Sequence, residues 1–160
     1  MSTFTTIFLI TVFAGLTLQL WLAARQATYI RSHAEAVPPA FADRISLEQH
    51  QKAASYSLAR LGVERWDLLV GMLVLLGWTI GGGLNWLDGA IDTIGLPSPW
   101  SGVTMILAVI FIGGLIELPL SIWRTFGIEA RFGFNRNTPA GFIRDKLLAI
   151  VLTLILGVPL

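Results

Sequence analysis

The chain has no cysteine. Disulfides and thiolate chemistry are thereby excluded, and so is any zinc site built on sulfur. Charge is scarce as well. Only 13% of the 160 residues are Asp, Glu, Lys or Arg, about half the usual share of a soluble domain. Net charge is +1, which gives no electrostatic ground for binding nucleic acid. No H-E-x-x-H, Walker loop, Rossmann glycine pattern or G-x-S-x-G elbow occurs, so the segment carries no catalytic constellation of its own. The two histidines, His33 and His50, stand 17 positions apart without ligand-like neighbours and read as solvated or interfacial.

Apolar residues are what the chain has in excess. They make up 54% of it, and mean hydropathy is +0.71. They are gathered into runs rather than spread at amphipathic spacing, as bilayer hydrocarbon requires. Residues 4–24 form a run of 21 without a charge, and residues 68–87 a run of 20. Each is about 30 Å long as a helix, enough to span, and helix is the conformation that satisfies the backbone there. A third run, 100–123, contains one charge, Glu117. A fourth, 139–160, opens with Thr138 as N-cap and Pro139 at the first helical position. Its uncharged part is only 14 residues, about 21 Å, short of a span. The expectation is an all-α integral membrane domain: three complete transmembrane helices, a fourth truncated at the C-terminus, and the whole cut from something longer. Residues 4–24 are read as a retained helix, because no positive charge precedes them as a signal peptide would require.

Topology follows from the basic residues. Segment 25–66 holds six of them and segment 124–146 five, together all eleven in the chain. The connection 88–99 has two Asp and no basic residue. The positive-inside rule puts the connector 25–66 and the turn 124–138 in the cytoplasm, and the N-terminus and 88–99 outside. Within the connector, Pro38-Pro39 breaks any helix continuing from the first span. Ser46 and Gln49 then form a capping-box pattern, followed by an apolar stripe, Ala54, Leu58 and Leu61. This helix is expected along the inner membrane face or against another cytoplasmic part, a solvated connector being the alternative.

Gly81-Gly82-Gly83 falls inside an apolar run and is expected to continue the helix, with Gly77-x-x-x-Gly81 suited to close helix packing. Glu117 is the one ionisable group within a span and has two readings. It reaches the headgroups or pairs with Arg124, or it faces a cavity beside a kink at Pro119. Residues 129–139 read as a fixed structure at the inner face. Gly133 permits unusual backbone angles, Asn135 suits an Asx-turn, and Phe132 and Phe134 are anchors for the interface or a neighbouring cytoplasmic helix.

The stretch from Leu118 to Leu147 resembles the amino-terminal membrane domain of the type I CAAX prenyl protease family, membrane-embedded zinc metallopeptidases. The shared pattern is Leu118-Pro119, Trp123, Ile128-Glu129, Phe132-Gly133-Phe134-Asn135, Thr138-Pro139 and Asp145, with Trp123 where Tyr is usual. The connector is closest in pattern to bacterial members: Arg25-Gln26, Val37-Pro38, Phe41-Ala42 and His50-Gln51-Lys52-Ala53-Ala54-x-Tyr56. The resemblance implies that the zinc-binding H-E-x-x-H helix and a third, glutamate ligand lie beyond residue 160. Zinc is thus expected in a full-length metalloendopeptidase and none in this segment. It also implies a water-filled intramembrane chamber, to which this domain contributes wall. Glu129, Arg131, Phe132, Gly133, Phe134, Asn135, Thr138 and Pro139 become candidates for docking the zinc-bearing part, and Glu117 a candidate cavity-facing group. Implied partners are the lipid bilayer, the carboxy-terminal peptidase part and a prenylated or membrane-associated protein or peptide substrate. The implied location is a bacterial inner membrane, with the endoplasmic reticulum as alternative. Two other classes stay open: a non-enzymatic helical scaffold or partner subunit, and a transport module using Glu117.

Overall fold

The computed structural model describes residues 2–157, and every described element is helical. Helix α1, Thr3–Ser32, is N-capped by Ser2, whose Oγ accepts from Thr5 N at 3.2 Å. It contains the first apolar run and continues eight residues beyond Ala24, about 12 Å. A loop with one 3₁₀ turn at Pro39–Phe41 leads to α2, Leu47–Thr79. The Ser46–Gln49 capping box is present in both directions, each bond 3.2 Å.

α2 departs from expectation at both ends. The helix expected in the connector is no separate element. It runs unbroken into the second apolar run, because nothing between Gln49 and Thr79 is worse for a helix than a single glycine. At the far end the glycine triplet interrupts the run instead of continuing it. α2 stops at Thr79, Gly82 adopts φ +75°, and α3, Gly83–Asp92, leaves at 54°. A Cβ on Gly81 would stand 2.8 Å from the Gly77 carbonyl oxygen, and one on Gly83 equally close. Gly77 and Gly81 therefore serve a backbone fold-back within one chain segment, not the packing of two helices.

After the turn 93–99, α4 runs Trp100–Ile122. It passes into a π-helical turn, Trp123–Glu129, and a last α-turn, α5, Ala130–Phe132. These three make one continuous helix of 33 residues, so Pro119 is carried without a sharp break. The space of the π turn is taken by an indole: a Cβ on Gly127 would meet Trp123 Cδ1 at 2.6 Å. The loop expected over 124–138 thus shrinks to 133–138. α6, Pro139–Gly157, begins where Thr138 Oγ1 accepts from Gly141 N at 3.1 Å. Residues 158–160 of the fourth run lie outside the described residues.

Two helices, Thr3–Ser32 and Trp100–Phe132, are long and apolar enough to cross a membrane, and the bent α2–α3 pair makes a third if counted as one span. Burial is concentrated at the two ends of the bundle. Ala27, Leu61, Val63 and Ile128 are buried at the end rich in basic residues, Leu87 and Ile91 at the other. None of the apolar window of α1 or α4 is buried. The helices meet at their ends and part between them, and that parting makes the clefts described next.

Candidate functional site

The residues singled out at 129–139 form one compact junction. Glu129 closes the π turn, and its carbonyl accepts from Phe134 N at 2.8 Å and Asn135 N at 3.1 Å. Gly133 N reaches the Ala130 carbonyl at 3.1 Å, and Gly133 takes φ +77°. This is a Schellman stop, satisfying carbonyls that a helix end leaves unpaired. Asn135 Oδ1 accepts from Asn137 N at 2.7 Å, forming the Asx-turn. Thr138 and Pro139 then start α6. The junction is fastened to α2 by an aromatic cluster. The Tyr56 ring lies 5.5 Å from Phe132, edge to face, and 4.7 Å from Phe134. Lys52 Nζ stands 5.7 Å from the Phe134 ring and the Arg131 guanidinium 5.8 Å from that of Phe132. One turn beyond Tyr56, Arg60 Nε donates to Glu64 Oε1 at 2.8 Å. That hydrogen bond raises the Arg60 pKa from its already high ordinary value.

Glu117 lies apart from this junction. It lines a cleft of about 630 Å³ between α2, α4 and α6, together with Asp67, Gly71, Gly113, Arg124 and Lys146. Arg124, in the π turn, pairs with Asp67 of α2; the Glu117–Arg124 pair weighed from the sequence is not formed among the described residues. Asp67 reads in the sequence only as the residue before an apolar run, and its role depends on helix packing. Asp67 and Gly71 also line a second, more open cleft of about 770 Å³ between α1 and α2, where Gln19, Gln26 and Glu64 supply the polar lining.

The histidines are less solitary than their spacing suggested. His50 Nε2 donates to the His33 carbonyl at 2.8 Å, joining the end of α1 to the start of α2, and the His33 ring stacks on Tyr29 at 4.1 Å. Neither arrangement makes a metal site. Among the described residues no group of three or more His, Cys, Asp or Glu could hold a metal ion. A zinc ion does not fit the residues present.

Fold and site together define an integral membrane domain of helices with charged groups lining the clefts between them. Residues 26–160 match the family described as CAAX prenyl protease N-terminal, five membrane helices. The chain belongs to that family. It is 30% identical over 152 residues to CAAX prenyl protease 1 homolog of Arabidopsis thaliana, covering 89% of this chain and 35% of the relative. It is 29% identical over 150 residues to the Homo sapiens homolog, covering 86% and 31%. Its fold matches the crystal structure of S. mikatae Ste24p with a TM-score of 0.89 at 21% identity, over 99% of this chain and 38% of that one. The chain thus spans about a third of the length of the curated relatives it matches. These relatives are eukaryotic, and the likeness to bacterial members read from the connector gains no support from them.

Proposed function

We propose that this chain is the amino-terminal membrane part of a zinc metalloendopeptidase of CAAX prenyl protease type. It forms part of the wall of an intramembrane chamber, and its 129–139 junction holds the zinc-bearing part in place. The observation that carries the chamber reading is the 630 Å³ cleft with Asp67, Glu117, Arg124 and Lys146 on its walls. Glu117 falls within the third apolar run, where a charge is costly against lipid and points to a watered space. Docking is supported by the rigidity of the junction. The Schellman stop, the Asx-turn and the Tyr56 cluster fix its backbone, while Arg131 and Arg136 remain exposed and Glu129 half-buried. The metal ligands belong to residues outside this chain, as does the protein or peptide substrate, prenylated or membrane-associated. The charge rule orients the domain with its N-terminus outside, equally in a bacterial inner membrane or the endoplasmic reticulum.

The test uses the complete reading frame. The purified protein should hold one zinc per chain and cleave a prenylated peptide ending in a CAAX sequence. Glu129→Gln and Asn135→Ala should each lower that cleavage several-fold at unchanged expression and helix content, with Arg136→Gln close to wild type. A complete protein that holds no zinc and cleaves nothing overturns the peptidase reading. Full activity in all three variants leaves 129–139 as a turn and removes the docking role.

A further inference from the structure

The cleft between α2, α4 and α6 carries four charges that sum to zero: Asp67 and Glu117 against Arg124 and Lys146. Asp67 and Arg124 satisfy each other. Glu117 and Lys146 do not; neither lies within 4.0 Å of an opposite charge among the described residues. They line the cleft from different helices, α4 and α6. Glu117 is six residues before Trp123 on α4, about 9 Å along the axis; Lys146 is four residues, about 6 Å, past Phe142, which packs on Phe126. The walls around them are open. Gly71 and Gly113 line the cleft, and a Cβ on either would meet nothing within 4 Å. The helices do close beyond this level. Phe126 and Phe142 pack at 5.5 Å between α6 and the π turn at the basic end, and Gly157 of α6 lies against Leu107 at the other.

An unpaired charge in such a cleft is stabilised by a guest of opposite sign, and here there is one of each sign on different helices. A lone anion would satisfy Lys146 and meet the Glu117 carboxylate; a lone cation would do the reverse. A guest with both charges at its two ends satisfies both. The volume, 630 Å³, is within the range of small-ligand sites, about 300–1,000 Å³. Two to four extended residues, about 7–14 Å, would reach across such a space. We infer that the cleft binds a short peptide with both ends free, its ammonium group at Glu117 and its carboxylate at Lys146. The inference rests on the peptidase reading, since short peptides with two free ends are what an endopeptidase acting near a chain terminus must release.

The test measures binding of trialanine to the full-length protein, in free form, N-acetylated and C-amidated. Each cap should weaken binding to the wild type about tenfold, the worth of one charge-assisted hydrogen bond. Glu117→Gln should erase the acetylation penalty and keep the amidation penalty, and Lys146→Gln should do the opposite. Glu117→Asp and Lys146→Arg, which keep the charges, should keep both penalties and serve as a check on folding. Equal binding of free and capped peptides, loss of both penalties in either neutral variant, or a cleft that binds no peptide because another segment fills it, each overturns the inference. Zinc content and cleavage of the prenylated peptide are read on the same samples. Crossed penalties without zinc or cleavage would contradict the peptidase reading alone; cleavage without crossed penalties would contradict this inference alone.

Discussion

At the scale of single residues, glycine placement decides most of what distinguishes this chain from a plain bundle of apolar helices. Gly133 at φ +77° ends the long α4 helix where its carbonyls find the Schellman bonds. An L side chain there costs about 1–2 kcal/mol, and Asn less than most. Gly133→Ala should therefore lower the thermal midpoint of the purified protein, and Gly133→Asn should recover part of the loss. Equal midpoints for all three would show that the left-handed stop is not maintained. The residue on this junction was legible beforehand, because a glycine between two aromatics, followed by Asn and Thr-Pro, spells out turn chemistry locally. The glycine triplet was not. A run of glycines in apolar surroundings fits both a continuous span and a break, and only the contact of Gly81 and Gly83 with the Gly77 carbonyl decides between them.

At the scale of elements, helix starts were readable and helix lengths were not. Ser46 and Thr138 cap α2 and α6 as their side chains dictate. α1 and α2, however, run well past the apolar stretches into polar sequence, where Leu61, Val63 and Ala27 supply the packing that holds them helical. The Asp67–Arg124 pair joins residues 57 positions apart and has no local signature. The elements nonetheless keep the charge asymmetry that sets orientation: all eleven basic residues fall in 25–66 and 124–146. In a chain free of cysteine, Ser98→Cys and Ser57→Cys each introduce a single site for labelling. An impermeant maleimide applied to sealed right-side-out membranes should modify the first and spare the second until detergent is added. Labelling of Ser57→Cys before detergent would reverse the orientation.

At the scale of the whole molecule, the helices touch at their two ends and separate between them, leaving clefts with charged groups on their walls. Family membership and the fold shared with S. mikatae Ste24p show an amino-terminal membrane domain about a third the length of its relatives. Whether the space by Glu117 is wet is the central point, and thiol chemistry reads it directly. Leu115 is at nearly the same depth on α4, two residues away and so about 200° around the helix, and it is exposed on the apolar surface. In the membrane-embedded full-length protein, Glu117→Cys and Leu115→Cys should differ sharply in reaction rate with a small water-soluble thiosulfonate. A chamber wall predicts Glu117→Cys reacting at a rate comparable to the cytoplasmic Ser57→Cys, with Leu115→Cys nearly inert. Equal inertness at 115 and 117 would place Glu117 against lipid or packed protein and contradict the chamber.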